Sequence, residues 1–356
     1  DLHRATEAVL VNEWVINAHT PRRIQVRSDD GTALAGRMIP GTKRLRPWVL
    51  LLHGFGGSWR DSLAFSRIYA AHDCNIMLVD MRAHGESEGE WTGSGWLDRR
   101  DIIAWCSWII ARTGEEAQII IHGTGMGATA ALFAAQEKDF PAQARAIVSD
   151  SAYIDIWNET ALRLGNGFAK PQPMLDLCRT MLRKSKGGYD LGKGNILPGI
   201  QGISTPLFIM HGEEDACAPP YMGIYLAMAA GCDVGTIVDA VTAKQVMADI
   251  AKLKTEANND DKVERDRDNT TSKSSNDASR ESFADSPEDD LLDLIVDQPP
   301  TEDETPTGSE ASPHIAASPT GNMFFFAPSA GHCQASFACP TSYENALNTF
   351  LDRCIG

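Results

Sequence analysis

Residues 119–134 read IIIHGTGMGATAALFA, and three features of this stretch indicate the fold. A continuous apolar run of isoleucines comes first and predicts a buried strand. An alanine-rich segment comes last, and alanine has the highest intrinsic helix propensity. Between them, Gly123, Gly125 and Gly127 permit the backbone angles of a very tight turn. The stretch therefore predicts a strand, a sharp turn and a helix, with Gly125 at the tip of the turn.

Strand and helix patterns alternate on both sides of this stretch. Residues 22–39 alternate apolar and polar positions around Asp29-Asp30-Gly31, which predicts a β-hairpin. Repeated strand–helix units imply an α/β fold with a mostly parallel central sheet flanked by helices. The other predicted strands lie at 47–53, 75–80, 117–122, 145–150, 206–211 and 323–327, and the helices at 58–72, 97–112, 126–137, 219–230 and 340–353.

Two segments interrupt the alternation. Residues 153–201 mix short helical pieces with Gly, Pro and Lys, which predicts a small helical cap; a long crossover connection is the alternative. Residues 233–322 become polar and acidic, which predicts a largely disordered insertion before the last strand. The predicted organisation is one domain formed by 1–232 and 323–356, with this acidic insertion inside it.

The acidic insertion dominates the charge of the chain. Residues 251–310 hold 7 Lys and Arg against 18 Asp and Glu, so they contribute −11 of the net −16. Nothing in the sequence suggests the clustered basic footprint of a nucleic-acid-binding protein, so no nucleic-acid binding is predicted. Within the insertion, residues 289–297 form an acidic-hydrophobic island that is a candidate docking motif for a protein partner; a chance apolar patch is the alternative. Because the preceding helix returns to the amino-terminal edge of a parallel sheet, we expect the insertion to emerge opposite the ligand pocket.

Polar motifs follow several predicted strands, at the sheet edge where open α/β folds bind ligands. Residues 53–57 read HGFGG, and such glycines let backbone N–H groups approach a substrate oxygen. His84 is interpreted as a turn-organising residue, with Asp80 and Arg82 in a shared buried polar network. Further along the chain, one strand ends near Asp215 and the last strand is followed by His332.

The chain carries no recognisable cofactor or metal motif. The sequence lacks the GxGxxG arrangement of dinucleotide sites and the GK[ST] phosphate loop. Its eight cysteines are scattered without zinc-site spacing. We therefore expect no cofactor and no metal. No apolar run reaches the ~18 residues that a membrane span requires.

Taken together, these motifs and their order resemble the α/β-hydrolase superfamily, and more narrowly bacterial serine hydrolases of the esterase and acyl-peptidase type. Such enzymes place a serine at the centre of a G-x-S-x-G nucleophile elbow, followed along the chain by an acid and then a histidine. The resemblance implies that Asp215 is the triad acid and His332 the general base. It also implies an oxyanion hole formed by the N–H groups of Met126 and of Phe55 or Gly56.

At the position of the serine, this chain departs from the pattern and has Gly125. Glycine offers no oxygen for an acyl-enzyme, so we expect little or no activity on the carboxylic esters or small amides that the resemblance implies. Neither Thr124 nor Ser151 is expected to take over as the nucleophile. Glycine should also relieve backbone strain at this turn. The alternative function is a pseudoenzyme that binds a ligand in the pocket and a partner through the insertion.

The resemblance also bears on location. Some members of this group carry an N-terminal membrane anchor. It therefore leaves two expectations open, a bacterial cytoplasmic protein or one attached to a membrane through a segment before Asp1.

Overall fold

The computed structural model describes residues 21–42, 46–156, 159–160, 177, 180–181, 194–235, 237–238 and 312–355. The chain divides into two units, Asp1–Lys254 with Ala311–Gly356 and Thr255–Glu310, and every described residue belongs to the first. Most of the predicted cap, and the insertion apart from its two ends, lie outside the described residues, so both stay predictions. No helix in the described part of the chain is long and apolar enough to span a bilayer.

Nine strands form a single sheet in the order β1-β2-β4-β3-β5-β6-β7-β9-β8. The pairings β4-β3-β5-β6-β7-β9 are parallel, whereas β1, β2 and β8 join antiparallel. The predicted fold class, a mostly parallel sheet flanked by helices, is confirmed. The strands are β1 (Arg22–Arg27), β2 (Ala33–Ile39), β3 (Trp48–Leu52), β4 (Asn75–Val79), β5 (Ile119–Thr124), β6 (Ala144–Asp150), β7 (Leu207–Gly212), β8 (His314–Ala317) and β9 (Met323–Ala327).

The longer helices occupy the predicted intervals between the strands, and two four-residue helices, at 197–200 and 335–338, were not predicted. Their bounds are α1 (Leu63–Ala71), α2 (Asp98–Thr113), α3 (Met126–Ala134), α4 (Leu197–Ile200), α5 (Pro220–Ala229), α6 (Ala335–Ala338) and α7 (Pro340–Ile355). On one face of the sheet, Tyr69 of α1 and Leu347 and Phe350 of α7 share a buried cluster with Val49 and Phe325 from the strands. Burying one such large apolar side chain stabilises the fold by about 1.5–3 kcal/mol.

The central strands explain why the sheet is parallel. All five residues of β3, of β4 and of β9 are buried. Strands that are apolar on both faces require cover on both faces, which crossover helices provide. At the sheet's first edge, the predicted hairpin is confirmed, and Gly31 at its turn has a φ of +88° that suits glycine.

The predicted boundary of the acidic insertion is corrected at its returning end. Residues 314–317 fall inside the predicted insertion, yet they form β8 against β9. His314 pairs with Phe326 near the carboxyl end of β9, and Ala317 pairs with Met323. The chain therefore returns at the same sheet edge as the polar loops, because β8 runs antiparallel. The outgoing end does lie at the amino edge, where Asp233 N–H donates to Ala317 O at 3.3 Å.

Candidate active site

The turn between β5 and α3 holds Gly125 in an unusual backbone conformation. Gly125 has φ +51° and ψ −112°, and its N–H donates to Asp150 O at 2.8 Å. The two flanking glycines are required by close packing. A side chain on Gly123 would collide with the backbone of Gly127, and one on Gly127 would come within 2.7 Å of Leu52 O. The turn is therefore as tight as the glycine spacing predicts.

His332 faces the tip of this turn. A Cβ atom on Gly125 would lie 3.0 Å from His332 Nε2 and 3.7 Å from Cys333 Sγ. The other ring nitrogen, Nδ1, hydrogen-bonds Asp215 Oδ2 at 2.8 Å. The fold thus brings Gly125, Asp215 and His332 together, although 117 residues separate the acid from the histidine.

Asp215 is held in place by backbone amides. Its Oδ1 accepts the N–H groups of Cys217 at 2.9 Å and Ala218 at 2.8 Å. Burial acts to raise the pKa of this carboxyl, but the hydrogen bond and charge of His332 outweigh it, and the pKa lies below its ordinary value. Asp215 is therefore a buried carboxylate that can orient His332 and stabilise positive charge on its ring.

A second histidine lies behind the same carboxylate. The Nε2–H of His211 donates to Ala218 O at 2.7 Å and lies 3.6 Å from Asp215 Oδ2. Burial lowers the pKa of His211, which favours the neutral ring, and the ring supports the turn that carries Asp215.

Of the three residues predicted for the oxyanion hole, Phe55 and Gly56 lie in the loop after β3, and Met126 begins α3. A Cβ on Gly54 would come within 3.5 Å of Thr124 O, so the loop at 53–57 adjoins the turn. Gly56 N–H donates to His84 Nε2 at 3.1 Å. The Gly56 amide is therefore engaged by His84 in this structure.

The turn-organising role predicted for His84 agrees with these contacts. Its Nδ1–H donates to Arg82 O at 2.8 Å, while Nε2 accepts from the glycine loop. The prediction that Asp80 and Arg82 share one polar network is wrong, because each side chain binds other partners. Asp80 accepts the backbone N–H groups of Trp59 and Glu86. Arg82 instead pairs with two carboxylates from other segments, Asp101 at 2.6 Å and Asp30 at 2.8 Å.

Comparison with known proteins places the chain in a family. The model of the alpha/beta hydrolase family matches residues 49–243, which is more than half of the chain. The chain belongs to the alpha/beta hydrolase family. Its curated relatives include the uncharacterized protein YqkD of Bacillus subtilis, 27% identical over 177 residues, and protein ABHD12B of Homo sapiens, 27% identical over 181 residues. These matches cover 48% and 49% of this chain and 56% and 47% of the two relatives, so the chain spans about half their length.

Solved structures share the architecture of this chain. The Pyrococcus furiosus esterase Pf2001 superposes with a TM-score of 0.58 at 17% identity, covering 96% of each chain. The alpha/beta hydrolase GrgF from Penicillium sp. sh18 gives a TM-score of 0.53 at 14% identity, covering 94% of this chain and 99% of its own. At these identities the likeness establishes the fold.

The two hydroxyls considered as substitute nucleophiles, those of Thr124 and Ser151, bond other groups. Thr124 Oγ1 donates to Leu52 O at 3.4 Å. Ser151 Oγ donates to Asp150 Oδ1 at 2.9 Å and accepts the N–H of Cys333 at 2.9 Å. Ser151 therefore supports the loop that carries His332, and neither hydroxyl contacts the His332 ring.

Sequence reasoning missed the two cysteines of this site, Cys217 and Cys333. The Cys333 thiol lies beside Gly125, but burial and the nearby carboxylates of Asp150 and Asp215 raise its pKa well above the ordinary value. A thiol that resists deprotonation is a weak nucleophile. The only sequence signal for either cysteine was its proximity to Asp215 or His332 along the chain.

Proposed function

We propose that this chain carries the site of a carboxylic-ester or small-amide hydrolase from which the nucleophile is missing. In this proposal Gly125 stands where related enzymes have serine, Asp215 orients His332, and Met126 with Phe55 or Gly56 supplies the oxyanion hole. The observation that carries it is the approach of His332 Nε2 to within 3.0 Å of the Cβ position of Gly125. A serine side chain there would begin within reach of the base.

Because residue 125 has no side-chain oxygen, an acyl-enzyme cannot form there. In a serine hydrolase, the base takes the serine proton, Oγ attacks the carbonyl carbon, and backbone N–H groups stabilise the oxyanion that forms. Gly125 has no atom to make this attack. A water molecule activated by His332 is the remaining nucleophile, and without the serine about 10³–10⁴-fold acceleration over water remains in studied triads. We expect the parent chain to be inactive or nearly so by comparison with a serine enzyme.

Replacing Gly125 with serine restores a side-chain oxygen at the turn. Gly125→Ser should hydrolyse short p-nitrophenyl esters at least about a hundredfold faster than the parent, because it regains the covalent route. Gly125→Ala is the matched control, since it adds the same Cβ without the oxygen and should stay at the parent rate. Steady-state kcat/KM for all three proteins is the measurement.

Two further results bear on the same proposal. A fluorophosphonate probe should label Gly125→Ser and leave the parent and Gly125→Ala unlabelled. Adding Asp215→Asn to Gly125→Ser should reduce kcat by about 10⁴-fold, because the histidine loses its orienting carboxylate. A folded Gly125→Ser protein that hydrolyses no faster than Gly125→Ala would remove the basis of the proposal.

A non-catalytic binding role is the second candidate. The observation that favours it is that the base and acid remain in contact at 2.8 Å while residue 125 lacks an oxygen. Such a site retains a partner for anionic groups, since protonated His332 can bind a carboxylate. Isothermal titration of the parent with short-chain carboxylates tests this role. Binding that His332→Gln abolishes would support it, and absence of heat at millimolar ligand would count against it.

A further inference from the structure

Three metal-binding side chains meet beside Gly125. A carboxylate oxygen of Asp215, Sγ of Cys217 and a ring nitrogen of His332 all lie within 4.8 Å of one another. The first two come from the loop after β7 and the third from the loop after β9. The absence of zinc spacing in the sequence therefore did not exclude a metal site, because the sheet joins ligands from two distant loops.

The chemistry of these three ligands selects among cations. Zinc binds thiolate, imidazole and carboxylate groups, whereas calcium and magnesium take oxygen ligands. A mixed S, N, O set suits a borderline-soft divalent ion such as Zn²⁺. Three protein ligands also leave the fourth tetrahedral position open to water.

The turn after β7 fixes two of the ligands relative to each other. Oδ1 of Asp215 is occupied by the N–H groups of Cys217 and Ala218, so Oδ2 is the oxygen directed at His332. Asp215 is buried, only 2% exposed, while Cys217 is exposed at the surface. An ion can therefore arrive from solvent at the thiol and reach a buried anionic oxygen, where its charge is poorly screened.

We propose that Asp215, Cys217 and His332 form a Zn²⁺ site that prevents His332 from acting as a base. Zinc on Nδ1 would displace the proton shared with Asp215 to Nε2, the atom that faces Gly125, so that Nε2 could no longer accept a proton. The Cys217 thiol would release its proton to solvent as zinc binds, so binding weakens as the pH falls.

The proposed zinc binding does not depend on the proposed hydrolase function. Only the effect of zinc on hydrolysis rests on that function. The first experiment therefore uses the parent chain without any substrate. Zn²⁺ is titrated calorimetrically, and Co²⁺ is added as a spectroscopic probe of sulfur ligation. We expect one equivalent to bind, with a sulfur-to-cobalt charge-transfer band.

Cysteine variants assign the sulfur ligand. Cys217→Ser should weaken Zn²⁺ binding by at least about tenfold and remove the cobalt band, since even losing an outer partner costs 10–100-fold. Cys354→Ser, on α7 away from the site, is the matched control and should bind like the parent. Cys217→Ala repeats the test without a hydroxyl, and thermal unfolding verifies that each variant is folded. Equal binding by Cys217→Ser and the parent, or loss of the band in Cys333→Ser alone, would overturn the proposed site.

A second experiment tests the effect on the histidine. If Gly125→Ser is active, Zn²⁺ should inhibit it, and the added Cys217→Ser change should raise the inhibitory concentration by at least about tenfold. Inhibition that is independent of Cys217 would overturn this part of the proposal. If Gly125→Ser is inactive, the hydrolase proposal fails, but the titration of the parent still decides whether zinc binds.

Discussion

Gly125 keeps a backbone conformation that other residues adopt only under strain. Its φ of +51° lies in the region that favours glycine. The turn is imposed from outside, by the hydrogen bond of Gly125 N–H to Asp150 O and by the contact of Gly127 with the loop at 53–57. The surrounding contacts therefore fix the turn, and glycine at position 125 lowers the conformational free energy that the turn requires.

A stability measurement tests this account of the turn. Gly125→Ala should destabilise the protein by about 1–3 kcal/mol, because alanine is strained at this φ. Gly31→Ala is the matched control: Gly31 also has a positive φ, +88°, but no atom lies within 4 Å of its Cβ position. The loss of stability in Gly31→Ala reports backbone strain alone. In Gly125→Ala the added Cβ also contacts His332, so this variant should be the more destabilised of the two. Urea unfolding measures both, and an equal cost would show that His332 does not crowd this position.

At the scale of elements, the end of β6 places a carboxylate beneath the site. Asp150 is fully buried; its Oδ1 accepts from Ser151, and its Oδ2 has no hydrogen-bond partner among the described residues. Burial raises the pKa of Asp150 from 3.8 to about 6. The folded protein therefore holds a proton on Asp150 that the unfolded chain releases between about pH 4 and 6.

This carboxylate gives a prediction about pH. Because the folded pKa of Asp150 is raised, its contribution to stability is present below pH 4 and is lost as the pH rises towards 6. The loss is on the order of 2–3 kcal/mol. Asp150→Asn cannot ionise, so relative to the parent it should gain stability by this amount between pH 4 and 7. Urea unfolding across this range checks the difference.

Other buried groups change stability in the opposite direction. Burial lowers the pKa of His122 to about 3, so its contribution is lost as the pH falls. The difference between Asp150→Asn and the parent removes that background, because both proteins contain His122. Asp352→Asn, an exposed position on α7, is the matched control. An Asp150→Asn profile parallel to the parent would contradict the raised pKa.

At the scale of the whole molecule, the acidic insertion joins the fold through a strand that the sequence pattern did not reveal. β8 covers the edge of β9, whose five residues are all buried. An uncovered edge strand exposes unpaired backbone groups and invites association. The insertion and β8 should therefore differ sharply in their effect on stability.

Two deletions separate these parts. Replacing 241–310 with a short Gly-Ser linker should change Tm by less than roughly 3 °C, because β8 remains. Replacing 241–320 also removes β8 and should lower Tm by roughly 5–10 °C. Calorimetry of the two deletion proteins and the full chain is the measurement. A large loss of Tm in the shorter deletion would show that residues 241–310 stabilise the folded domain.

Much of the architecture could be predicted from sequence because it depends on local patterns. The apolar runs predicted the central strands, and the hairpin at Gly31 followed from its turn residues. Element ends were less accurate: the helix predicted at 58–72 spans Leu63–Ala71. β8 escaped prediction because its four residues, HIAA, carry too little pattern to separate them from the polar segment before them.

The sequence by itself determined the strand–helix alternation, the order of the motifs and the absence of an oxygen at Gly125, since each is a property of residue type or local spacing. Tertiary structure decided which groups meet. It brought Asp215 to His332, placed Cys217 and Cys333 beside them, and gave the Gly56 amide to His84. These contacts join loops far apart in the chain, so they depend on strand order and loop geometry rather than on any local pattern.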